Sequence, residues 1–376
     1  MPDSSRATLA HTRRLVVKLG TNVIMRGDGM PALSRLYGIL ESVASLGREG
    51  RQVLLVSSGA IGMGAQQLGL AHKPELLAEK QACAAVGQGL LMALYQEGFR
   101  RLGMVAAQVL LTEYDFSNRQ RYLNLRATLE HLLSLGVVPI INENDTVSTA
   151  ELESRFRAAP VFGDNDKLSA LVASGVDADT LLILSDVDGL YTGNPHKDPS
   201  ARLIPLVPEL TAEIEGCADG QSARGRGGMA SKLAAVRVAV RAGTRVLIAS
   251  GATPGILDQV LAGQEVGTLF EPGPRLKGRK RWIAHASQLS GRIRVNAGAR
   301  DVLLAGRASL LAAGAVALEG DFERDDVVAI ADAQGHDFAR GVVTLGRAEA
   351  DQALEGPQGN GRVLVSRDTF VLLEEA

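Results

Sequence analysis

Short runs of wholly apolar sequence, each ending abruptly in polar or glycine-rich residues, constrain this chain more than any other feature. Val53–Val56 runs into Ser57-Ser58-Gly59, Val137–Ile141 into Asn142-Glu143-Asn144-Asp145, and Leu181–Leu184 into Ser185-Asp186. None alternates apolar with polar residues, so each predicts a strand buried on both faces. Between them lie helical patterns at Leu33–Leu46, Glu75–Leu102, Asn118–Leu135, Leu168–Ala173 and Met229–Ala242, several of them closed by a glycine. Leu15–Val23 and Val105–Leu111 read as further strands, and Val246–Ala249 as another. Strand and helix in alternation predict an α/β three-layer sandwich with a mostly parallel central sheet. Ligands of such sheets sit beyond the carboxyl ends of the strands, which is where this chain concentrates its polar and glycine-rich residues.

At 376 residues the chain suits two domains. Its composition shifts at Glu271–Arg281, which holds two prolines, two glycines and a run of cations, and reads as a linker. Short β patterns follow at Trp282–Ala286, Gly291–Val295, Val327–Ala331, Gly341–Leu345 and Val363–Val371, with helical patterns at Asp301–Leu304 and Ser309–Ala313. We therefore divide the chain into a catalytic domain over 1–262, a linker over 263–283 and a small mainly β domain over 284–376. The net charge of −2 disfavours a polyanion binder. Cys83 and Cys217 form no CxxC pair and predict reduced thiols. Residues 1–14 lack the apolar core of a signal peptide, and no apolar run approaches the ~20 residues that span a bilayer. A cytoplasmic enzyme without membrane attachment is expected.

Two lysines stand out. Lys18 lies inside an apolar strand pattern just before Gly20-Thr21, and Lys232 lies in the first turn of a helical pattern after Gly225-Arg226-Gly227-Gly228. A lysine in an apolar strand either reaches water or meets an anion. A lysine in a helix's first turn opposes the helix dipole unless an anion is bound. Together they suit a phosphate-bearing ligand. Ser57-Ser58-Gly59-Ala60-Ile61-Gly62-Met63-Gly64 reads either as a tight strand–helix turn or as a backbone that approaches a carboxylate. Asn142-Glu143-Asn144-Asp145 and Gly163-Asp164-Asn165-Asp166 read either as helix caps and turns or as partners of a substrate ammonium and a metal-assisted site. Asp186 and Asp188 form a turn or face a nucleotide. The P-loop spacing, the GxGxxG fingerprint, the GxSxG elbow and paired histidines are all absent.

These segments resemble the amino acid kinase family. The resemblance rests on VVKLGTNVI, LLVSSGAIGMG, KQACAAVGQGLLM, QVLLT, RYLNLRATLEHLL, VVPIINENDTVST, FGDNDKLSALVA, LSDVDGLYTGNP and GGMASKLAAVRVA, in family order over about residues 14–262. The tail from about Ala284 resembles a PUA domain. INEND, FGDND and SSGAIG place the chain nearest the branch that acts on free glutamate, rather than on N-acetylglutamate, aspartate, UMP or carbamate.

The resemblance implies transfer of the γ-phosphoryl of ATP to the side-chain carboxylate of L-glutamate, giving L-glutamyl 5-phosphate, the opening step of proline biosynthesis. It implies Lys18 and Lys232 as catalytic residues oriented by Asp166, and Ser58, Asp145 and Asn165 as the glutamate site. It also implies Lys18, Ser185, Asp186, Arg226, Gly227, Gly228, Met229, Ala230, Ser231 and Lys232 as ATP-binding. Mg2+ is expected on the ATP phosphates with no direct protein ligand. Proline as feedback inhibitor, a dimer or tetramer, and hand-over to glutamyl phosphate reductase are implied likewise, and RNA binding by the tail is disfavoured. Two departures from the family pattern are Arg226, where threonine is usual, and an apparent insertion at Glu151–Pro160.

Overall fold

The computed structural model describes residues 4–70, 72, 74–147, 165–195, 197–218, 228–273, 280, 282–283, 289–306, 308–355 and 361–373. The chain divides into two compact units, Met1–Thr112 with Arg126–Arg275 and Glu113–Leu125 with Leu276–Ala376.

The first unit is built on an eight-stranded sheet of β1 Arg14–Leu19, β2 Gln52–Ser57, β3 Ala106–Leu111, β4 Val138–Glu143, β5 Thr180–Ser185, β6 Leu206–Val207, β7 Arg245–Ser250 and β8 Thr268–Phe270. The strand order is β3-β4-β2-β1-β5-β7-β8-β6. Pairings from β3 across to β7 are parallel, and β8 runs antiparallel to β7. β1 lies between β2 and β5, with Lys18 level with Val56 and Ile183, and Leu19 level with Ser57 and Leu184. The polar ends of three strands therefore meet on one edge. Thr268–Phe270 belong to this sheet although they lie past Ala262.

Pleating sends alternate residues to opposite faces. Leu15, Val17, Leu19, Leu55, Ile140, Leu182 and Leu247 join a core with Leu36, Leu40 and Val43 of the helix Leu33–Arg48 and with Leu91, Tyr95 and Phe99 of the helix Leu77–Arg101. On the other face the helix Asn165–Gly175 packs against β1 and β5, and the helix Met229–Arg241 packs against it and β7. Their buried leucines, Leu168, Leu171 and Leu233, line that layer. The expected three-layer sandwich is therefore present.

The expected strand Leu15–Val23 stops at Leu19. The Gly20 N–H is taken by the Leu184 carbonyl, and the Gly20 carbonyl accepts from the N–H groups of Val23 and Ile24, which winds Thr21–Ile24 into a helical turn. The SSGAIGMG segment turns at Gly59 (φ +104°) and continues as a helix, Ala60–Gln67. Gly64 in it and Gly87 in the helix Leu77–Arg101 serve packing: a Cβ on Gly87 would lie 1.8 Å from the Ala60 carbonyl oxygen, and one on Gly64 1.8 Å from that of Cys83. The helices Ala60–Gln67 and Leu77–Arg101 thus touch backbone to backbone.

The second unit carries a six-stranded sheet of β9 Gly291–Val295, β10 Leu310–Leu311, β11 Ala315–Gly320, β12 Val327–Ala331, β13 Asp337–Val343 and β14 Val363–Leu372, in the order β10-β14-β13-β12-β9-β11. Its pairs are antiparallel except β12 with β9. Ile293, Val295, Phe322, Val328, Ile330, Val343 and Val365 form its core. The expected helix Ser309–Ala313 is instead the short strand β10 followed by a 3-10 turn, Ala312–Gly314. The expected strand at Trp282 is also absent: Trp282 and Ile283 are helical. The Trp282 indole is buried, donates from Nε1 to the Phe116 carbonyl at 2.9 Å, and has Tyr122 at 6.3 Å and the Arg119 guanidinium at 5.5 Å from its ring centre.

Candidate active site

Lys18 reaches the site from the next-to-last position of β1, on the face covered by the helix Asn165–Gly175. Asp166 stands in the first turn of that helix, and Lys232 in the first turn of Met229–Arg241. The three meet. Lys18 Nζ is 2.5 Å from Asp166 Oδ1, and Lys232 Nζ is 3.3 Å from Asp166 Oδ2. Lys18 is 3% exposed, Lys232 4% and Asp166 0%. One buried carboxylate thus pairs with two buried ammonium groups. Desolvating that much charge is expensive for the fold, and clusters of this kind mark functional sites. Gly20 adds room: a Cβ there would lie 3.6 Å from Lys18 Nζ and 3.3 Å from the Leu184 carbonyl oxygen.

Beside the cluster lies an uncharged network. Asn165 Nδ2 donates to the Ser57 carbonyl at 2.8 Å, to Ser58 Oγ at 3.1 Å and to Asn142 Oδ1 at 2.9 Å. Asn142 in turn donates to Gln88 Oε1 at 2.8 Å, and Gln88 Nε2 is buried with no hydrogen-bond partner among the described residues. Ser58 and Asn165 are thereby brought together. Asp145 lies two residues beyond β4 in a turn and is half-buried. Asn142 belongs to the Asn142–Asp145 cluster that the sequence offers as substrate partners, whereas Gln88 was not singled out by sequence reasoning. Gln88 lies within a segment that carries the family resemblance, but an uncharged amide on a helix gives no pattern of its own.

At the end of β5, Ser185 Oγ donates to Asp186 Oδ1 at 2.9 Å and Asn22 Nδ2 donates to Asp186 Oδ2 at 2.7 Å. Burial pushes the Asp186 carboxyl up, but the Asn22 amide, the Ser185 hydroxyl, its own backbone N–H and the charge of Lys232 outweigh that and hold it below the usual aspartate range. The helix Met229–Arg241 starts at Gly228 with no side-chain cap, with Met229 buried and Ala230 exposed. Ser231 is half-buried. Arg226, Gly227, Asp164 and the Glu151–Pro160 segment lie outside the described residues.

The remaining candidates have other partners. Asp188 accepts from the Tyr191 hydroxyl at 2.8 Å, as a turn residue would. Burial, with Glu79 next in effect, pushes the Cys83 thiol up, away from thiolate chemistry. Among the described residues no three of His, Cys, Asp or Glu gather as a metal cage needs, and no helix is long and apolar enough to cross a membrane.

Comparison with known proteins gives a consistent result. The Amino acid kinase family matches residues 13–250, and the PUA domain matches residues 291–358. The glutamate 5-kinase of Synechococcus elongatus is 46% identical over 373 residues, covering 95% of this chain and 99% of its own. That of Moorella thermoacetica is 47% identical over 379 residues, covering 98% of each. A solved UMP kinase from Bacillus anthracis, 16% identical, aligns with a TM-score of 0.47 over 70% of this chain and 98% of its own.

Proposed function

The chain belongs to the amino acid kinase family, in the branch of the glutamate 5-kinases, and from that membership we propose that it transfers the γ-phosphoryl of ATP to the side-chain carboxylate of L-glutamate. The observation that carries the chemistry is the pair of buried ammonium groups held by Asp166. A carboxylate with a pKa of ~4.3 is already ionised at neutral pH, so the acceptor needs no general base. The obstacle is that an anion attacks an anion. Lys18 and Lys232 offset the charge of the transferring phosphoryl, and Asp166 fixes both in place so that little reorganisation is left for the reaction.

The Asn165–Ser58 hydrogen bond sits at the mouth of β2 and presents hydroxyl and amide groups to glutamate, with Asp145 as counter-charge for its ammonium. Ser185, Asp186 and the Gly228–Lys232 turn take the nucleotide, with Arg226 and Gly227 preceding it. The helix start at Gly228–Met229, whose N-cap is a glycine with no side chain to cap it, suits phosphate oxygens. This donor set of ammonium and amide groups fits a phosphate chain that carries Mg2+, which would supply charge neutralisation on the phosphate oxygens. Proline inhibition, assembly into a dimer or tetramer, and hand-over of the acyl phosphate to glutamyl phosphate reductase accompany the same reading, supported by the near full-length similarity to the relatives.

The test is turnover of ATP with Mg2+ against L-glutamate, N-acetylglutamate, L-aspartate, UMP and carbamate, with acyl phosphate trapped by hydroxylamine. Hydroxamate from L-glutamate alone is the expected result. Turnover of a different acceptor overturns the assignment of Ser58, Asp145 and Asn165.

A further inference from the structure

The turn Thr21–Ile24 directly follows the strand that carries Lys18, and its carbonyls are all accounted for. The Gly20 carbonyl accepts from Val23 and Ile24, that of Thr21 from Met25, and that of Ile24 from Ala32. The two carbonyls left over, of Asn22 and Val23, are both taken by Nη1 of Arg35, at 2.6 and 3.2 Å. A helical turn this short leaves its last carbonyls without intrahelical donors, and Arg35 supplies what the turn lacks. Val23 and Ile24 are buried beneath it, and Val23 packs against Gly251, where a Cβ would lie 2.5 Å from a Val23 methyl. The Gly251 N–H is in turn bonded to the Ser185 carbonyl at 2.8 Å. The turn is therefore fixed at both ends against the strand that ends in Ser185-Asp186.

What this fixed turn presents outward is the Asn22 side chain. Its amide nitrogen lies 2.7 Å from Asp186 Oδ2, while Ser185 Oγ holds the other carboxylate oxygen. A carboxylate only accepts, so the amide must turn its NH2 group toward it. Asp186 is solvent-exposed, and an exposed aspartate without such a support samples several rotamers.

We propose that Asn22 is a positioning residue for ATP, holding Asp186 in the orientation that receives the nucleotide, with Arg35 bracing the turn from behind. The proposal rests on the nucleotide-binding reading of Asp186 given above. One short segment, Lys18 to Asn22, then serves both the phosphoryl group and the nucleotide side of the site. The lowered titration of Asp186, to which the Asn22 hydrogen bond contributes, agrees with this geometry.

Steady-state kinetics of the full chain with varied ATP and varied glutamate test it, alongside equilibrium ATP binding. Asp186→Ala establishes the premise by raising the KM for ATP. Asn22→Ala is expected to raise that KM about three- to tenfold, with kcat at saturating ATP and the KM for glutamate little changed, because what is lost is binding common to ground and transition states. Asn22→Asp keeps the shape, removes the donor and sets two carboxylates face to face, so its KM for ATP rises further. The double variant Asn22→Ala/Asp186→Ala is expected to bind ATP no more weakly than Asp186→Ala alone, since the two side chains act as one unit. If Asp186→Ala leaves ATP binding where it was, the nucleotide reading of Asp186 fails and this proposal with it. If Asp186→Ala weakens ATP but neither Asn22 variant does, that reading stands and the proposal alone is overturned. A matching rise in the KM for glutamate also overturns it, because the turn would then be acting on the whole site.

Discussion

At Asp166 one carboxylate serves two ammonium groups, and the two lysines arrive from opposite ends of the first unit's sequence. Removing one of them separates chemistry from binding. Lys232→Ala is expected to lower kcat by about two to three orders of magnitude, the size of effect seen when one preorganised donor to a developing charge is deleted. The KM for glutamate should stay nearly constant, because Ser58 and Asn165 are held by their own network. Stopped-time hydroxamate assays at saturating ATP measure this, and a raised glutamate KM at normal kcat would falsify the role. The lysines were legible in the sequence because a charge in an apolar strand, or in a helix's first turn, has to be explained. Asn22 and Gln88 were not, because amides are at home in turns and on helix surfaces alike. Only their partners reveal them.

At the scale of elements, the junction of Ala60–Gln67 with Leu77–Arg101 decides how Ser58 is presented, since the first helix begins two residues after it. Gly87→Ala would drive a methyl to 1.8 Å from the Ala60 carbonyl and 2.5 Å from the Gly64 nitrogen. Backbone has to move, and a loss of about 1–3 kcal/mol or more is expected, together with a raised KM for glutamate. Gly89→Ala, two residues away in the same helix with nothing within 4 Å of the new Cβ, is the matched control and should gain about 0.4–1 kcal/mol. Thermal unfolding of the pair checks both signs, and equal behaviour would refute the backbone contact. The strands were legible because wholly apolar runs have few other uses. The helix Ala60–Gln67 was hidden because its glycines read as turn, whereas Gly64 is there to let another helix come close. The strand expected over Leu15–Val23 overran for the opposite reason: Val23 and Ile24 are apolar for burial in a helical turn, and a short apolar stretch does not disclose its period.

For the molecule as a whole, the division into units does not follow the linear order of the sequence. Glu113–Leu125, between β3 and β4, belongs with the C-terminal unit, and the boundary falls inside the helix Arg119–Ser134. No composition shift marks that segment, so reading along the chain placed it in the catalytic domain. Every residue assigned to the chemistry lies in the other unit, and truncation after Arg275 is therefore expected to preserve hydroxamate formation. It also removes the indole to which the Phe116 carbonyl and the Tyr122 ring are fitted. The truncated protein should bind more of a hydrophobic dye than the full chain and unfold at a lower temperature. Loss of phosphoryl transfer in a folded, ATP-binding remainder would contradict the assignment. The same arrangement gives the molecule a built-in optical label. Trp282 is its sole tryptophan, and it is shielded from solvent beside a tyrosine and a guanidinium in the unit that does not hold the lysines. Its emission reports on the surroundings it has in that unit, so fluorescence and catalysis can be followed together through a melt, one read from each unit, without attaching any dye.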